Sequence, residues 1–218
     1  MDEKDIKWRN GLPNYDIVNK TFQKERTKKH SEGSLESIVE NLVKTWEMES
    51  THKERLQDWK SVTQDFAFQV NGGPKFNAKD NVDRGNYNML LEGSPLYDVC
   101  KESNASSHEM FKKAFPEGFA WELLEVFSGP PRVSFTWRHW AKWSRDFNGV
   151  KATGETLELF GSCVVEVDSD LKIKFIHVFY DPSIMMATLT GFGCKHLGKD
   201  QSPEKETKSV KVSPVVMN

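Results

Sequence analysis

The stretch "ETLELFGSCVVEVDSDLKIKFIHVFYDP", residues 155–182, decides the fold, because it predicts two long β-strands joined by a short acidic turn. Along its first half, one face carries the apolar residues Leu157, Leu159, Cys163, Val165 and Val167. Such alternation is typical of a strand with one buried face. The turn "DSD" at residues 168–170 predicts that the second strand runs back antiparallel to the first.

Three further segments show the same period-two pattern. They are "WKSVTQDFAFQVNGG" (residues 59–73), "FAWELLEVFSG" (119–129) and "PPRVSFTWRHWAKW" (130–143). Together with the closing pair, they predict a sheet of at least five strands.

Helical spacing dominates the first part of the chain. The clearest helix begins after Ser34, a good N-cap residue, and its apolar stripe consists of Leu35, Ile38, Val39, Leu42, Val43 and Trp46. Shorter helices are predicted from Asn14, over residues 77–92 with an interruption at Gly85, over 106–115, and over part of 181–193. Helices followed by long antiparallel strands predict an α+β fold, in which a curved antiparallel sheet forms a cone with the N-terminal helices on its concave face.

A chain of 218 residues is long enough for one domain with appendages. We expect an N-terminal extension with a short helix over residues 1–33 and the main domain over residues 34–194. Residues 195–218 are rich in Lys, Ser, Glu and Pro without periodicity, which predicts a disordered tail.

Composition narrows the class of protein. The formal net charge of −2 comes from 30 basic and 32 acidic residues mixed along the chain, so no cationic field favours nucleic acid. The charged start and the lack of 18 consecutive apolar residues predict a cytoplasmic protein without membrane insertion. Three widely spaced cysteines argue against a disulfide framework, and Cys163 is expected to be a buried thiol.

Candidate site residues come from two strands and the best helix. On the strand from residue 132, alternation puts Phe135, Trp137 and His139 on one face, and Arg138 and Trp140 on the other. On the closing strand, the same count groups Ile173, Phe175, His177, Phe179 and Asp181. The predicted ligand-binding residues are Trp46, Phe135, Trp137, His139, Phe175, His177, Phe179 and Tyr180.

His139, His177 and Asp181 facing one interior would suit acid/base catalysis without a cofactor. Structural roles are the alternative. A lone histidine on an apolar face more often bonds a neighbouring hydroxyl or carbonyl, and an aspartate at a strand end often caps the next turn. Glu158 and Glu166 share the less apolar face of their strand, which favours an outward position and leaves their orientation open.

Motifs for cofactors and metals do not occur in the expected contexts. No G-x-G-x-x-G follows a strand, and there is no P-loop lysine, H-E-x-x-H or C-x-x-C pair. We therefore expect no cofactor and no metal site. Haem binding stays an open alternative, because a single histidine suffices as the ligand of a haem iron.

Three long stretches resemble one known family. They are "WRNGLPNYDIVNKTFQKERTKKHSEGSLESIVENLVKTWEMESTHK" (residues 8–53), "FPEGFAWELLEVFSGPPRVSFTWRHW" (115–140) and the closing hairpin "FGSCVVEVDSDLKIKFIHVFYDP" (160–182). Together they resemble the plant pathogen-related protein family. The hairpin also resembles the SnoaL-like branch of the nuclear transport factor two-like superfamily.

The resemblance implies a cone-shaped α+β fold, a plant source and a link to defence or specialised metabolism. It also implies a homodimer, formed through outward aromatic residues such as Trp140. It implies no single reaction, because the superfamily includes isomerases, cyclases, dehydratases and members without catalysis.

Two functions follow as hypotheses. The first is a non-catalytic or accessory protein that binds a small hydrophobic, terpenoid-like metabolite in its cone and assists a membrane-anchored oxygenase. The second is a cofactor-independent isomerase, cyclase or dehydratase acting on such a metabolite. The aromatic lining and the scarcity of dedicated polar groups favour the first.

Overall fold

The computed structural model describes residues 5–9 and 11–192. Its helices are α1 (Asp16–Glu25), α2 (Leu35–His52), α3 (Ala78–Arg84), α4 (Asn86–Leu90), α5 (Asn104–Ala114) and α6 (Ser183–Leu189). Its strands are β1 (Val62–Val70), β2 (Lys75–Asn77), β3 (Ala120–Ser128), β4 (Arg132–Lys142), β5 (Thr156–Val167) and β6 (Ile173–Tyr180). The predicted tail over residues 195–218 lies outside the described residues.

The six strands form one sheet in the order β2-β1-β6-β5-β4-β3. The predicted closing hairpin is present, since β5 and β6 pair antiparallel. The sheet is not wholly antiparallel, because β1 runs parallel to β6. Nearly the whole domain lies between these two strands in sequence, so no tight turn forces them into opposite directions. The predicted α+β class is confirmed, with one parallel pair added.

One face of the sheet, called the inner face here, carries the main hydrophobic core. Helix α2 lies across it, and the indole of Trp46 stacks on Phe68 of β1 at 5.6 Å between ring centroids. Tyr87 of α4 stacks on Phe111 of α5 at 4.2 Å. The expected buried thiol, Cys163, belongs to this core. Helices α2, α4 and α5 thus cover the concave side of the sheet, as predicted, whereas the first helix, α1, packs on the opposite face.

The opposite face, called the outer face, is covered by α1 over part of its area. Phe22 of α1 stacks on Trp140 of β4 at 6.4 Å, and the Trp140 indole donates a hydrogen bond to Glu25 at 2.9 Å. Trp140 is therefore only 1% exposed. The expectation that it contributes to a dimer interface is wrong, because a helix of its own chain buries it. The homodimer itself stays a prediction.

The edge strand β3 is held by the segment between α1 and α2. Thr27 and Lys28 donate their backbone N–H groups to the buried carboxylate of Glu122, at 2.7 and 3.2 Å. The His30 ring donates to the carbonyl oxygen of Leu123 at 2.8 Å, and the N–H of Leu123 donates to Glu40 of α2 at 3.3 Å. The outward backbone groups of Leu123 and the carboxylate of Glu122 are therefore paired within the chain.

The last strand contains a β-bulge that strand counting does not reveal. Val167 pairs with Ile173 while Glu166 pairs with Phe175, so Lys174 is an extra residue on β6. Such an insertion reverses the alternation beyond it. Ile176 and Val178 are consequently buried on the inner face.

In the described part of the chain, each helix is either too short or too polar to cross a bilayer.

Candidate functional site

A cavity of about 1090 Å³ is lined by residues of the inner face of the sheet, by helices α2, α4 and α5, and at its edge by α1. Its apolar wall includes Phe68, Phe111, Phe115, Trp121, Phe135, Trp137, Cys163, Val165, Ile176 and Val178. A concave, mostly apolar space of this order suits a small organic ligand. A second cavity of about 50 Å³ adjoins it, sharing Trp137 and His139 and reaching Tyr180 and Met185.

Helix α2 brings Trp46 to the cavity because its apolar stripe faces the sheet. The helix begins where predicted, with the N–H of Ser37 donating to the Ser34 hydroxyl at 3.2 Å. The indole nitrogen of Trp46 is buried and has no hydrogen-bond partner among the described residues. It is a buried donor without an acceptor, in a residue that lines the cavity.

Glu47 places a carboxylate in the same cavity. It follows Val43 by four residues and therefore shares its side of α2. Among the hydrogen bonds and ion pairs of the described residues, its carboxylate has no partner. Burial raises the pKa of Glu47 to about 7, and the nearby ammonium of Lys44 opposes this only weakly. Near neutral pH the group can therefore give up or accept a proton.

Two tyrosines lie close to Glu47 in the lining. Tyr15 precedes α1 and Tyr87 belongs to α4. Burial raises the pKa of both phenols, and the charge of Glu47 raises it further. Both therefore stay protonated and can donate a hydrogen bond to a ligand oxygen.

His139 lies in the wall on β4, where its ring contacts Phe119 at 4.9 Å and Trp137 at 6.4 Å. Its Nε2 is buried and has no hydrogen-bond partner in the part of the chain described. Burial lowers the pKa of His139 to about 4, so the ring is neutral at pH 7. It can orient a ligand by one hydrogen bond, but it carries no charge.

A second pair of histidines lies at the edge of the cavity. His52 ends α2 and His108 lies on α5, and their rings meet edge to face at 6.0 Å. The Tyr15 ring contacts His52 at 5.9 Å, and Tyr87 contacts His108 at 6.4 Å. Polar side chains from α2, α4, α5 and the start of α1 are therefore grouped at one side of the cavity.

Three predicted ligand contacts face away from it. Phe175, His177 and Phe179 lie on the outer face, because the bulge at Lys174 reverses the alternation of β6. The His177 ring packs against Phe179 at 4.0 Å and accepts a hydrogen bond from the N–H of Gly72 at 3.1 Å. The predicted grouping of His177 with His139 in one interior is therefore wrong.

The predicted carboxylates also lie elsewhere. Asp181 accepts a hydrogen bond from the N–H of Ser183 at 2.8 Å, which is the turn-capping arrangement given as its alternative. Glu158 accepts from Arg138 on the outer face at 2.9 Å. Glu166 forms an ion pair with Lys174 at 3.5 Å. The orientation left open for Glu158 and Glu166 is thus outward for both.

Of the predicted set, Trp46, Phe135, Trp137 and His139 line the large cavity, and Tyr180 lines the small one. The Tyr180 hydroxyl donates to the carbonyl of Leu90 at 2.8 Å. Sequence reasoning missed Glu47, although a carboxylate at helical spacing on an apolar stripe was the available signal. It also missed Tyr15, Tyr87 and His108, whose meeting depends on packing between distant helices.

Comparison with curated proteins found a clear relative. The chain is 41% identical over 195 residues to the "Pathogen-related protein" of Hordeum vulgare, covering 85% of this chain and 83% of the barley protein. No protein-family model matches the chain.

Solved structures of similar shape share little sequence. A protein described as a SnoaL-like polyketide cyclase, from Jannaschia, is 12% identical with a TM-score of 0.42, covering 75% of this chain and 97% of its own. An NTF2-like (nuclear transport factor two-like) protein from Anabaena variabilis is 12% identical with a TM-score of 0.39, covering 72% and 96%.

Proposed function

This chain belongs to the pathogen-related protein family, and from that premise we propose that it binds a small hydrophobic metabolite in the cavity between the sheet and the helices. One observation carries the proposal: a space of about 1090 Å³ has an apolar wall on the sheet side and a smaller share of polar side chains from the helices. Apolar area removed from water supplies the affinity, and a few polar groups fix the orientation.

The polar groups in the wall indicate what the ligand offers. The indole of Trp46 donates, His139 can donate or accept, and Tyr15 and Tyr87 can donate. The carboxyl of Glu47 and the phenols of Tyr15 and Tyr87 in the same wall favour an oxygenated apolar compound, for which a terpenoid is a suitable skeleton.

The biological process and the cellular compartment that we propose for this role are taken from the family. We place it in plant defence or specialised metabolism and in the cytoplasm, with a second copy of the chain as partner. Assistance to a membrane-anchored oxygenase belongs to the same proposal. Co-expression with a candidate oxygenase should change its product distribution, although the protein alone turns nothing over. An unchanged distribution would remove the oxygenase from the proposal.

The test is native mass spectrometry of the full chain with a panel of terpenoids, sterols and polyketides. We expect one-to-one complexes with some oxygenated members. Val43→Trp should abolish them, because Val43 lines the cavity and the larger side chain fills it. His139→Ala should weaken them about tenfold by removing one hydrogen bond. The matched control is His177→Ala, on the outer face. Equal binding by all variants would refute the cavity as the binding site.

A specific observation favours one second function. The unpaired carboxyl of Glu47, with a pKa of about 7, lies in the cavity that His139 also lines. A group of that pKa can take a proton from carbon or deliver one, as a cofactor-independent isomerase, cyclase or dehydratase requires. His139 keeps its place in this alternative, whereas His177 and Asp181 face away from the cavity.

Chromatography of the recovered compounds separates the two functions. A ligand returned unchanged supports binding alone. A compound with the same mass and a new retention time, or one lighter by a water molecule, indicates catalysis. Glu47→Gln should then abolish turnover while the complex persists in native mass spectra.

A further inference from the structure

Four basic side chains, called the basic rim here, converge at the edge of the cavity: Arg9, His52, His108 and Lys112. The backbone joins two of them, since the N–H of Arg9 donates to the carbonyl of His52 at 2.8 Å. His108 and Lys112 lie one turn apart on α5, and the His52 and His108 rings are 6.0 Å apart. His52, His108 and Lys112 also line the cavity.

The guanidinium of Arg9 lacks a partner in this arrangement. Its Nε and Nη2 atoms are buried and donate no hydrogen bond to any described residue. Guanidinium N–H groups without an acceptor are costly, and an oxyanion that reached them would remove that cost. Lys112 likewise forms no ion pair within residues 5–9 and 11–192.

The rim carries the two cationic side chains Arg9 and Lys112, with the carboxylate of Glu109 near His108. Burial is the first cause that lowers the pKa of His52, to about 4, followed by the charges of His108, Lys112 and Arg9. Burial and the charges of Lys112 and Arg9 also lower the pKa of His108, against the opposing carboxylate of Glu109. The two rings are thus neutral N–H donors, held between two cations.

We infer that the basic rim binds the oxyanion headgroup of an amphipathic ligand whose apolar body fills the cavity. The inference rests on the proposed function and names its ligand class: an apolar chain or ring system ending in a carboxylate or a phosphate. Arginine and lysine supply the charge, and the histidine rings supply further donors.

The cavity has the layout that such a ligand needs. From His108 at the rim, α5 carries Phe111 and Phe115 along the wall. A rise of 1.5 Å per residue puts Phe115 roughly 10 Å from His108 along the helix axis. The apolar wall therefore continues from the rim for about the length of an eight-carbon chain.

The experiment compares three probes of one chain length: dodecanoate, dodecyl phosphate and dodecanol, titrated into the full chain with tryptophan fluorescence as readout. We expect both anions to bind about tenfold or more tightly than the alcohol, as charge-assisted hydrogen bonds predict. The double variant Arg9→Gln, Lys112→Gln should bind both anions no more tightly than it binds dodecanol. Affinity for dodecanol should not change, which also shows that the variant is folded.

Lys113→Gln is the matched control, since Lys113 is exposed, neighbours Lys112 and does not line the cavity. Equal affinity of all three probes for the unaltered protein would overturn the rim assignment and leave the proposed function standing. Failure of all three to bind would also overturn the inference, while the terpenoid panel tests the proposed function separately. Inorganic phosphate should bind far more weakly than dodecyl phosphate, and equal affinity would reduce the rim to a free-ion site and overturn the inference.

Discussion

Glu49 and Lys53 form a buried ion pair at the C-terminal end of α2, with Lys53 Nζ 2.8 Å from the Glu49 carboxylate. The hydroxyl of Ser61 donates to the same carboxylate at 2.6 Å, and the N–H of Lys60 donates at 2.9 Å. Lys53 also donates to the carbonyl of Asp58 at 2.9 Å. This cluster fixes the path from α2 to β1, and with it the position of His52 at the cavity.

Glu49→Gln should lower the free energy of unfolding by about 3 kcal/mol, because it leaves Lys53 charged and buried. Asp83→Asn is the control, since it breaks the exposed Lys79–Asp83 pair and should cost less than about 1 kcal/mol. Urea unfolding at pH 7 measures both. Equal losses from the two variants would show that burial of the Glu49–Lys53 pair has no energetic consequence.

Acid should weaken the same cluster. Burial opposes the ionisation of Glu49, but hydrogen bonds from Lys53 and Ser61 outweigh it and hold its pKa below the usual range. The stabilisation is therefore complete above the usual pKa of a glutamate and is lost as the pH falls through the lowered value. In Glu49→Gln this acid-dependent part of the unfolding free energy should be missing.

Glu47 should show the opposite dependence on pH. Its pKa of about 7 in the fold exceeds its ordinary value of 4.5, so the folded state holds a proton that the unfolded state releases between these values. Its contribution to stability is complete below 4.5 and is lost as the pH rises to about 7. Glu47→Gln should therefore become more stable than the unaltered protein across this window, by up to about 3 kcal/mol above pH 7.

The measurement is urea unfolding of the ligand-free protein at a series of pH values across that window. Asn41→Ala, on the same helix, is the control because it removes no ionisable group. If the unfolding free energy of Glu47→Gln had the same pH dependence as that of the unaltered protein, the fold would not raise the pKa of Glu47.

The local pattern of apolar residues was sufficient to predict most of the fold. The stripe from Leu35 to Trp46 predicted α2, and alternation over residues 132–143 predicted which side chains of β4 face inward. Alternation failed on β6, because the bulge at Lys174 depends on pairing with two neighbouring strands and leaves no mark in the sequence. Two of the three proposed catalytic residues, His177 and Asp181, are therefore excluded from the site because they lie outside the cavity, not because of their residue types.

The polar side of the cavity was beyond such reasoning for another reason. Tyr15, His52, Tyr87 and His108 come from four separate segments, and their meeting depends on how the helices pack on the sheet. Glu47 alone lay within reach of pattern analysis, because it continues the apolar stripe of α2.

Gly161 makes room for a wall residue of the cavity. A Cβ atom at this position would overlap the indole of Trp137 and would lie 2.6 Å from the carbonyl oxygen of Phe179. Gly161→Ala should therefore displace Trp137, cost about 1–3 kcal/mol of stability and shift the tryptophan emission. At Gly129 the added Cβ would lie 3.6 Å from Leu35, so Gly129→Ala is the control. An unchanged emission spectrum and stability for Gly161→Ala would contradict the packing described.

Phe22 anchors α1 to the rest of the protein. It is 8% exposed, stacked on Trp140 and covered by the ammonium of Lys44 at 3.6 Å from its ring centroid. Phe22→Ala should cost about 3 kcal/mol, whereas Ile17→Ala, on the same helix and 56% exposed, should cost little. Thermal unfolding compares the two variants. Similar melting temperatures would show that α1 is not anchored through Phe22.

The bonds that Thr27, Lys28, His30 and Glu40 make to β3 also bear on how the protein behaves in a crowded solution. An unpaired outer strand offers its N–H and C=O groups to any other chain and so templates aggregation. Here the chain pairs the outward N–H and C=O groups of Leu123 with its own side chains and covers the neighbouring Glu122 with the segment ahead of α2. These contacts oppose edge-to-edge self-association at that point of β3, independently of any ligand that the cavity holds.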